Sequence, residues 1–204
     1  PSVAILFLYF NRPLAAWFSL LLFVSAAITD FIDGYLARAW KQETKFGAMM
    51  DPIADKAMVV IALVVITGFS GMNPWILTPA VFIIFREVFV SGLREFLGET
   101  AGLLKVTVLA KWKTTMQMVA IAILFAKGAF EHYLIARSFG MDSETQMGIL
   151  AGEIEDLLGL RNLELGLEIC WYAGVGFLWF AMVLTVLSGA DYFRKALPFL
   201  RDPA

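Results

Sequence analysis

Four aspartates fall in two pairs within one short stretch, "TDFIDGYLARAWKQETKFGAMMDPIADKA", at positions 29–57. Asp30 and Asp33 are three residues apart, and Asp51 and Asp55 are four residues apart. Residues at these separations share one face of an α-helix. Each pair is therefore predicted to present two carboxylates from one side of a helix.

The residues around the aspartates are small or cationic. On the first helix Gly34 and Ala37 extend the face of the first pair, and Arg38 lies one turn beyond Gly34. On the second helix Gly47 precedes the second pair by one turn, and Ala54 lies beside it. The pattern predicts a cavity with a charged floor. The alternative is a solvated loop with incidental acids, which the small residues on the same faces disfavour.

Carboxylates this close together stay ionised only if cations join them. Mg²⁺ and Mn²⁺ are hard ions that prefer oxygen ligands. Two such ions sharing an aspartate form a clamp that assists displacement at phosphorus. We therefore predict a site for two divalent ions.

The elements that must position these residues are membrane helices. The chain has 204 residues, of which 60% are hydrophobic, a larger share than in soluble domains. Its apolar runs approach or exceed the roughly 20 residues that a membrane-spanning helix needs. The predicted fold class is all-α, a polytopic membrane protein with six transmembrane helices, the first one truncated at the start of the chain. These helices are expected at 2–10, 14–38, 46–69, 74–97, 103–127 and 168–192.

Basic residues predict the orientation, because cytoplasmic loops are enriched in lysine and arginine. Three basic groups, near residues 38–56, 94–113 and 194–201, fall on one side if the chain crosses alternately. The aspartates are therefore expected in a cavity that faces the cytoplasm. The acidic segment 128–167 is expected on the other side, as a loop or an interfacial segment with a short amphipathic helix. We assign 1–197 to one membrane domain and 198–204 to a C-terminal tail.

Composition also indicates which classes of binding partner to expect. The net charge of −2 indicates no nucleic-acid surface, and the single cysteine, Cys170, excludes an intrachain disulfide. Small residues in the third and sixth helices favour close helix packing or a homodimer interface. The expected partners are the lipid bilayer and a second copy of the chain.

The stretch from Asp30 to Asp55 reads D-x2-D-G-x2-A-R-x8-G-x3-D-x3-D, with every specified position filled. This pattern resembles the signature of the CDP-alcohol phosphatidyltransferases. The segments "REVFVSGLREFL", "KWKTTMQMVAIAILF" and "SGADYFRKAL" most resemble the bacterial members of that family whose acceptor is glycerol 3-phosphate.

The resemblance implies transfer of a phosphatidyl group from CDP-diacylglycerol to glycerol 3-phosphate, with release of CMP, at the inner membrane of a bacterium. It implies that Asp55 is the general base. The implied metal ligands are Asp30, Asp33, Asp51 and Asp55, and the implied CDP-binding residues are Asp33, Gly34, Ala37, Arg38 and Gly47.

The phosphate of the acceptor needs cations of its own, and Arg94, Lys111 and Lys113 are the candidates. The alternative is that they are ordinary anchors on the positive side of the membrane. Arg86 and Glu87 lie deeper in the fourth helix, where a charge is costly and usually paired, and Gln117 is a candidate partner. The predicted role of Arg86 is either structural or part of the site.

Three other interpretations remain open from the residues alone. The same chemistry serves other acceptors, such as inositol phosphate, serine or phosphatidylglycerol. A membrane prenyltransferase also binds magnesium diphosphate with aspartates, but the D-G-x2-A-R arrangement is not expected there. A cation transporter normally places its site near the bilayer midplane, whereas Asp30 is predicted near the far end of its helix.

Overall fold

A computed structural model describes residues 45–98 and 108–200, together with positions 17–18, 20–26, 28–29 and 32. Every regular element in this part of the chain is helical, and no strand occurs in it. The predicted all-α class is confirmed. The whole of the first predicted helix and about half of the second lie outside the described residues.

Five helices have defined bounds: α1 (Lys45–Phe69), α2 (Pro74–Leu97), α3 (Val108–Arg137), α4 (Ser143–Ala151) and α5 (Leu160–Leu200). The bounds of α1 and α2 agree with the prediction to within one residue. The Asn73 side chain accepts a hydrogen bond from the Trp75 amide at 3.0 Å, and Pro74 opens α2. Gly98 ends α2 at a φ of 52°, in a conformation that favours glycine.

The acidic segment 128–167 is more helical than the sequence predicts. The helix α3 runs ten residues past its predicted end, to Arg137, and α5 begins eight residues before its predicted start, at Leu160. The prediction ended both helices where the apolar run ends. A helix continues past a charged residue such as Lys127 until a turn terminates it, and the turn after α3 contains Gly140, at a φ of 81°.

Two aspartates cap the helices of this segment. The Asp142 carboxylate accepts a hydrogen bond from the Thr145 amide at 2.8 Å, at the start of α4. This backbone hydrogen bond lowers the pKa of Asp142. The Asp156 carboxylate accepts from the amides of Leu160 and Arg161 at 2.8 and 3.0 Å, where α5 begins.

Within the described residues, three helical segments are long and apolar enough to cross a membrane: Pro74–Leu97, Trp112–Arg137 and Leu160–Leu200. A shorter apolar stretch, Lys56–Phe69, lies within α1. With 41 residues, α5 is about twice as long as a bilayer span requires. These helices fit the predicted polytopic membrane protein, and α5 continues past residue 197, where a tail was expected.

The chain divides into two compact units. The first comprises 1–48 and 121–174, and in it Gly166 lies against the ring of Phe130 while Gly174 lies against Leu124. A Cβ atom at either glycine would approach these side chains to below 3 Å, so small residues permit close helix packing there. The second unit comprises 49–120 and 175–204, and its core includes a cluster formed by Val90, Leu97, Tyr192 and Ala196.

Candidate functional site

The aspartate pair of α1 occupies one continuous helix. Asp51 and Asp55 lie four residues apart within Lys45–Phe69, slightly more than one helical turn. Only the helix is described at Gly47, Asp51 and Asp55, and the same holds for Lys111 in the first turns of α3. Their predicted roles stay predictions.

The other predicted residues of the aspartate site lie outside the described part of the chain. They are Asp30, Asp33, Gly34, Ala37 and Arg38. Among the side chains that the structure does describe, no three from His, Cys, Asp and Glu form a group suited to a metal ion. The two-ion site on the four aspartates stays a prediction.

A buried cluster of charges joins α2 to α3 within the second unit. Arg86 and Glu87 lie near the middle of α2, and Lys113 lies near the start of α3. The Lys113 ammonium donates to the Glu87 carboxylate, and Arg86 Nη1 lies 3.4 Å from each Glu87 oxygen. Only 5% of Lys113 and 8% of Glu87 are exposed. One carboxylate therefore contacts two cations away from solvent.

The helix α5 supplies the rest of the surroundings of Arg86. Arg86 Nη2 donates to the Ser188 hydroxyl at 3.4 Å, while the buried Nε has no hydrogen-bond partner among the described residues. Gly189 has no side chain at the point where Arg86 passes, and a Cβ atom there would lie 2.9 Å from Arg86 Cγ. Glycine at this position leaves the room that the arginine stem needs.

Gln117 belongs to a separate, neutral pair. Its amide donates to the Thr185 hydroxyl at 3.0 Å, and both side chains are buried. The sequence suggested Gln117 as a partner for Arg86, and the structure pairs Arg86 with Glu87 and Ser188 instead. The difference has a physical reason, since a carboxylate satisfies a buried guanidinium better than a neutral amide does.

Among the side chains that the structure describes, the charged cluster is not balanced. Arg86 and Lys113 carry two positive charges against the one negative charge of Glu87. Arg94 acts electrostatically on Arg86, and Lys56 acts on Lys113, so further positive charge surrounds the cluster. Buried charge is expensive unless it is compensated. The arrangement suits an anion that brings the missing negative charge.

Arg94 lies in the last turn of α2, one of the positions that the sequence assigned to the acceptor phosphate. Its guanidinium carbon lies 5.8 Å from the centre of the Tyr192 ring, a cation–π contact. The Tyr192 hydroxyl is buried without a hydrogen-bond partner. Arg94 is exposed, whereas Lys113 is buried beside Arg86 and Glu87, so the two predicted residues differ in their surroundings.

Sequence reasoning missed Glu87 as the partner of Lys113, and it missed Gly189. A signal for the first was present, because acidic and basic residues in neighbouring apolar helices are usually paired. A signal for the second was weaker. Glycine within a transmembrane helix often marks a close approach, but the sequence does not say which side chain approaches.

Comparison with known proteins identifies the family of the chain. Residues 1–187 match the model of the CDP-alcohol phosphatidyltransferase family. A protein of Cereibacter sphaeroides is 60% identical over 203 residues, which are 99% of this chain and 91% of that protein. A protein of Rickettsia bellii is 38% identical over 94% of this chain and 86% of its own length.

A third relative, from Haemophilus influenzae, is 50% identical over 103 residues, which are 50% of this chain and 55% of that protein. All three relatives are named CDP-diacylglycerol–glycerol-3-phosphate 3-phosphatidyltransferase. The resemblance inferred from the aspartate signature is confirmed, and the chain belongs to the CDP-alcohol phosphatidyltransferase family.

Proposed function

We propose that the chain transfers the phosphatidyl group of CDP-diacylglycerol to glycerol 3-phosphate, forming phosphatidylglycerophosphate and releasing CMP. The observation that carries this proposal is the 60% identity to a protein with that name over 99% of the chain. The unbalanced cluster of Arg86, Glu87 and Lys113 supports an acceptor that carries a phosphate.

Asp30, Asp33, Asp51 and Asp55 would hold two divalent ions, Mg²⁺ or Mn²⁺. The donor set fits such ions, since all four ligands are carboxylates and two of them lie about one turn apart on α1. When bound, the ions would stabilise the negative charge that develops on the leaving nucleotide.

The residues of the chain have distinct roles in the transfer. Asp55 accepts the proton of the acceptor hydroxyl, whose oxygen then attacks the β-phosphorus of CDP-diacylglycerol. CMP departs with the electron pair of the broken P–O bond. The nucleotide would be bound by Asp33, Gly34, Ala37, Arg38 and Gly47.

The acceptor phosphate would be bound by Arg94, Lys111 and Lys113. Arg86 joins them as a candidate, because its buried Nε is a hydrogen-bond donor that no described residue accepts from. Arginine binds phosphate through two parallel hydrogen bonds, while lysine offers a point charge. A dianionic phosphate would compensate the surplus positive charge beside Glu87.

The reaction would take place at the cytoplasmic side of a bacterial inner membrane, in a homodimer. The bacterial relatives and the three candidate spans support a bacterial membrane protein. The three basic groups of the sequence support the orientation. The small residues of the third and sixth predicted helices support a helix-mediated dimer interface.

The test is CMP release from CDP-diacylglycerol by the purified protein, with one acceptor at a time. Glycerol 3-phosphate should support the highest kcat/KM, ahead of inositol phosphate, serine and phosphatidylglycerol. Asp142→Asn is a suitable control, because asparagine also caps helices and Asp142 lies outside the site. A preference for another acceptor would reject the assigned substrate, and no CMP release with any acceptor would reject the reaction.

A further inference from the structure

Glu87 contacts both cations of the buried cluster, and its position between them is unusual for a structural ion pair. A structural pair in a membrane helix needs one cation for one carboxylate, and then the charge is balanced. Here Lys113 already donates to Glu87, and Arg86 adds a second positive charge at 3.4 Å. Among the described side chains Glu87 is the one carboxylate that contacts these two cations, so the second cation leaves room for a further negative partner.

We infer that Glu87 is a positioning residue for the acceptor phosphate: it holds the ammonium of Lys113 and the guanidinium of Arg86 side by side, so that the phosphate meets both. The inference rests on the proposed function. It assigns a role in phosphate binding to Glu87, which is negatively charged like the phosphate itself. Glu87 itself would not contact the phosphate.

The physical need for such a residue follows from the two cations. Two like charges in an apolar helix bundle repel each other, and each would turn towards water if it were free to do so. Lysine has a flexible four-carbon stem, so a phosphate would have to order it at an entropic cost. A carboxylate between the two cations removes the repulsion and orders both before the phosphate arrives.

The neighbouring helices complete the arrangement. Gly189 leaves space for the Arg86 stem, and the Ser188 hydroxyl accepts from Nη2, so α5 holds the far side of the guanidinium. The Nε group keeps a free donor. Lys56, which acts electrostatically on Lys113, directly follows Asp55 in α1. The cluster therefore lies within electrostatic range of the helix that carries the proposed base.

Removing the carboxylate has two opposite effects on the affinity for glycerol 3-phosphate. Whether the affinity rises or falls therefore shows which effect dominates. Glu87→Gln removes a negative charge and so would strengthen the attraction of the site for an anion. It also releases Lys113 and Arg86 from their common partner. If positioning dominates, the affinity for glycerol 3-phosphate falls. If charge alone matters, the affinity rises.

The experiment measures steady-state CMP release with each substrate varied in turn, for wild type, Glu87→Gln, Glu87→Asp and Thr185→Val. We expect Glu87→Gln to raise the KM for glycerol 3-phosphate about 10-fold or more, with the KM for CDP-diacylglycerol within about twofold of wild type. Glu87→Asp keeps the charge on a shorter stem and should rescue part of the loss. Thr185→Val removes the buried partner of Gln117 without touching the cations, and it should leave both KM values near wild type.

Direct binding of glycerol 3-phosphate, measured by titration calorimetry on protein in detergent micelles, should show the same order of affinities. Helicity by circular dichroism and the elution volume in gel filtration must match wild type. An unchanged or lowered acceptor KM in Glu87→Gln would overturn the inference, as would equal losses for both substrates. A wild type that does not use glycerol 3-phosphate would instead reject the proposed function, so the two failures are distinguishable.

Discussion

At the scale of single residues, the proposed chemistry separates a base from metal ligands. If Asp55 mainly accepts the hydroxyl proton, Asp55→Asn should lower kcat by about 100-fold or more, with little change in the affinity for CDP-diacylglycerol. Turnover and equilibrium binding of a non-reactive CDP-lipid would be measured on the same preparation. Equal losses of binding and turnover would identify Asp55 as chiefly a ligand.

The two substrates should depend on different arginines. Arg94→Ala is expected to raise the KM for glycerol 3-phosphate about 10-fold or more and to change the KM for CDP-diacylglycerol little, because a charge-assisted contact is worth about 1.5–3 kcal/mol. Arg38→Ala should show the reverse pattern, since Arg38 is proposed to hold the diphosphate. Each variant serves as the control for the other. If the acceptor KM is unchanged in Arg94→Ala, Arg94 does not bind the phosphate, and Lys113 and Arg86 remain as the candidates.

At the scale of elements, one glycine of α5 determines where Arg86 can lie. Gly189→Ala would place a Cβ atom 2.9 Å from Arg86 Cγ, close to the backbone end of the side chain, so the whole stem must shift. We expect a several-fold higher KM for glycerol 3-phosphate. Gly176→Ala is the matched control in the same helix, because nothing lies within 4 Å of a Cβ atom there. The control should keep the wild-type KM and gain up to about 1 kcal/mol of helix stability.

If Gly176→Ala raised the KM for glycerol 3-phosphate as much as Gly189→Ala does, the enzyme would need flexible glycines in α5 and not the space beside Arg86.

The short helix α4 should depend on pH through its cap. The hydrogen bond from the Thr145 amide lowers the pKa of Asp142, so its stabilisation of α4 is present above the ordinary aspartate pKa of about 3.9 and is lost as the pH falls through the lowered value. The protection of the α4 amides against hydrogen exchange, relative to the intrinsic rate at each pH, should fall several-fold over that range. Asp142→Asn should abolish this pH dependence while keeping the helix, and a pH dependence that persists in this variant would place the titrating group elsewhere.

At the scale of the whole molecule, activity should require divalent ions. Excess EDTA should abolish CMP release, and Mg²⁺ or Mn²⁺ should restore it, because four carboxylates at one site need cations to stay ionised together. Asp30→Asn, Asp33→Asn and Asp51→Asn should each raise the metal concentration needed for half-maximal activity. Full activity in excess chelator would contradict the two-ion site.

The sequence by itself determined the family, the membrane class and the bounds of α1 and α2. The aspartate signature is local, since its eight specified positions lie between Asp30 and Asp55. The turn between α1 and α2 is also marked locally, by glycine, asparagine and proline at 71–74. Apolar composition is summed over each helix, so no knowledge of contacts is needed to recognise a span.

Only the tertiary structure decided which charges meet. Glu87 and Lys113 are 26 residues apart in the sequence, and Arg86 and Ser188 are 102 apart. Such pairs depend on the rotation of each helix about its axis, which hydrophobic runs do not specify when a helix is apolar on every side. A second limit explains why the predicted end of α3 and the predicted start of α5 were wrong. Loss of hydrophobicity marks where a helix leaves the bilayer, whereas capping contacts such as those of Asp156 decide where the helix itself begins.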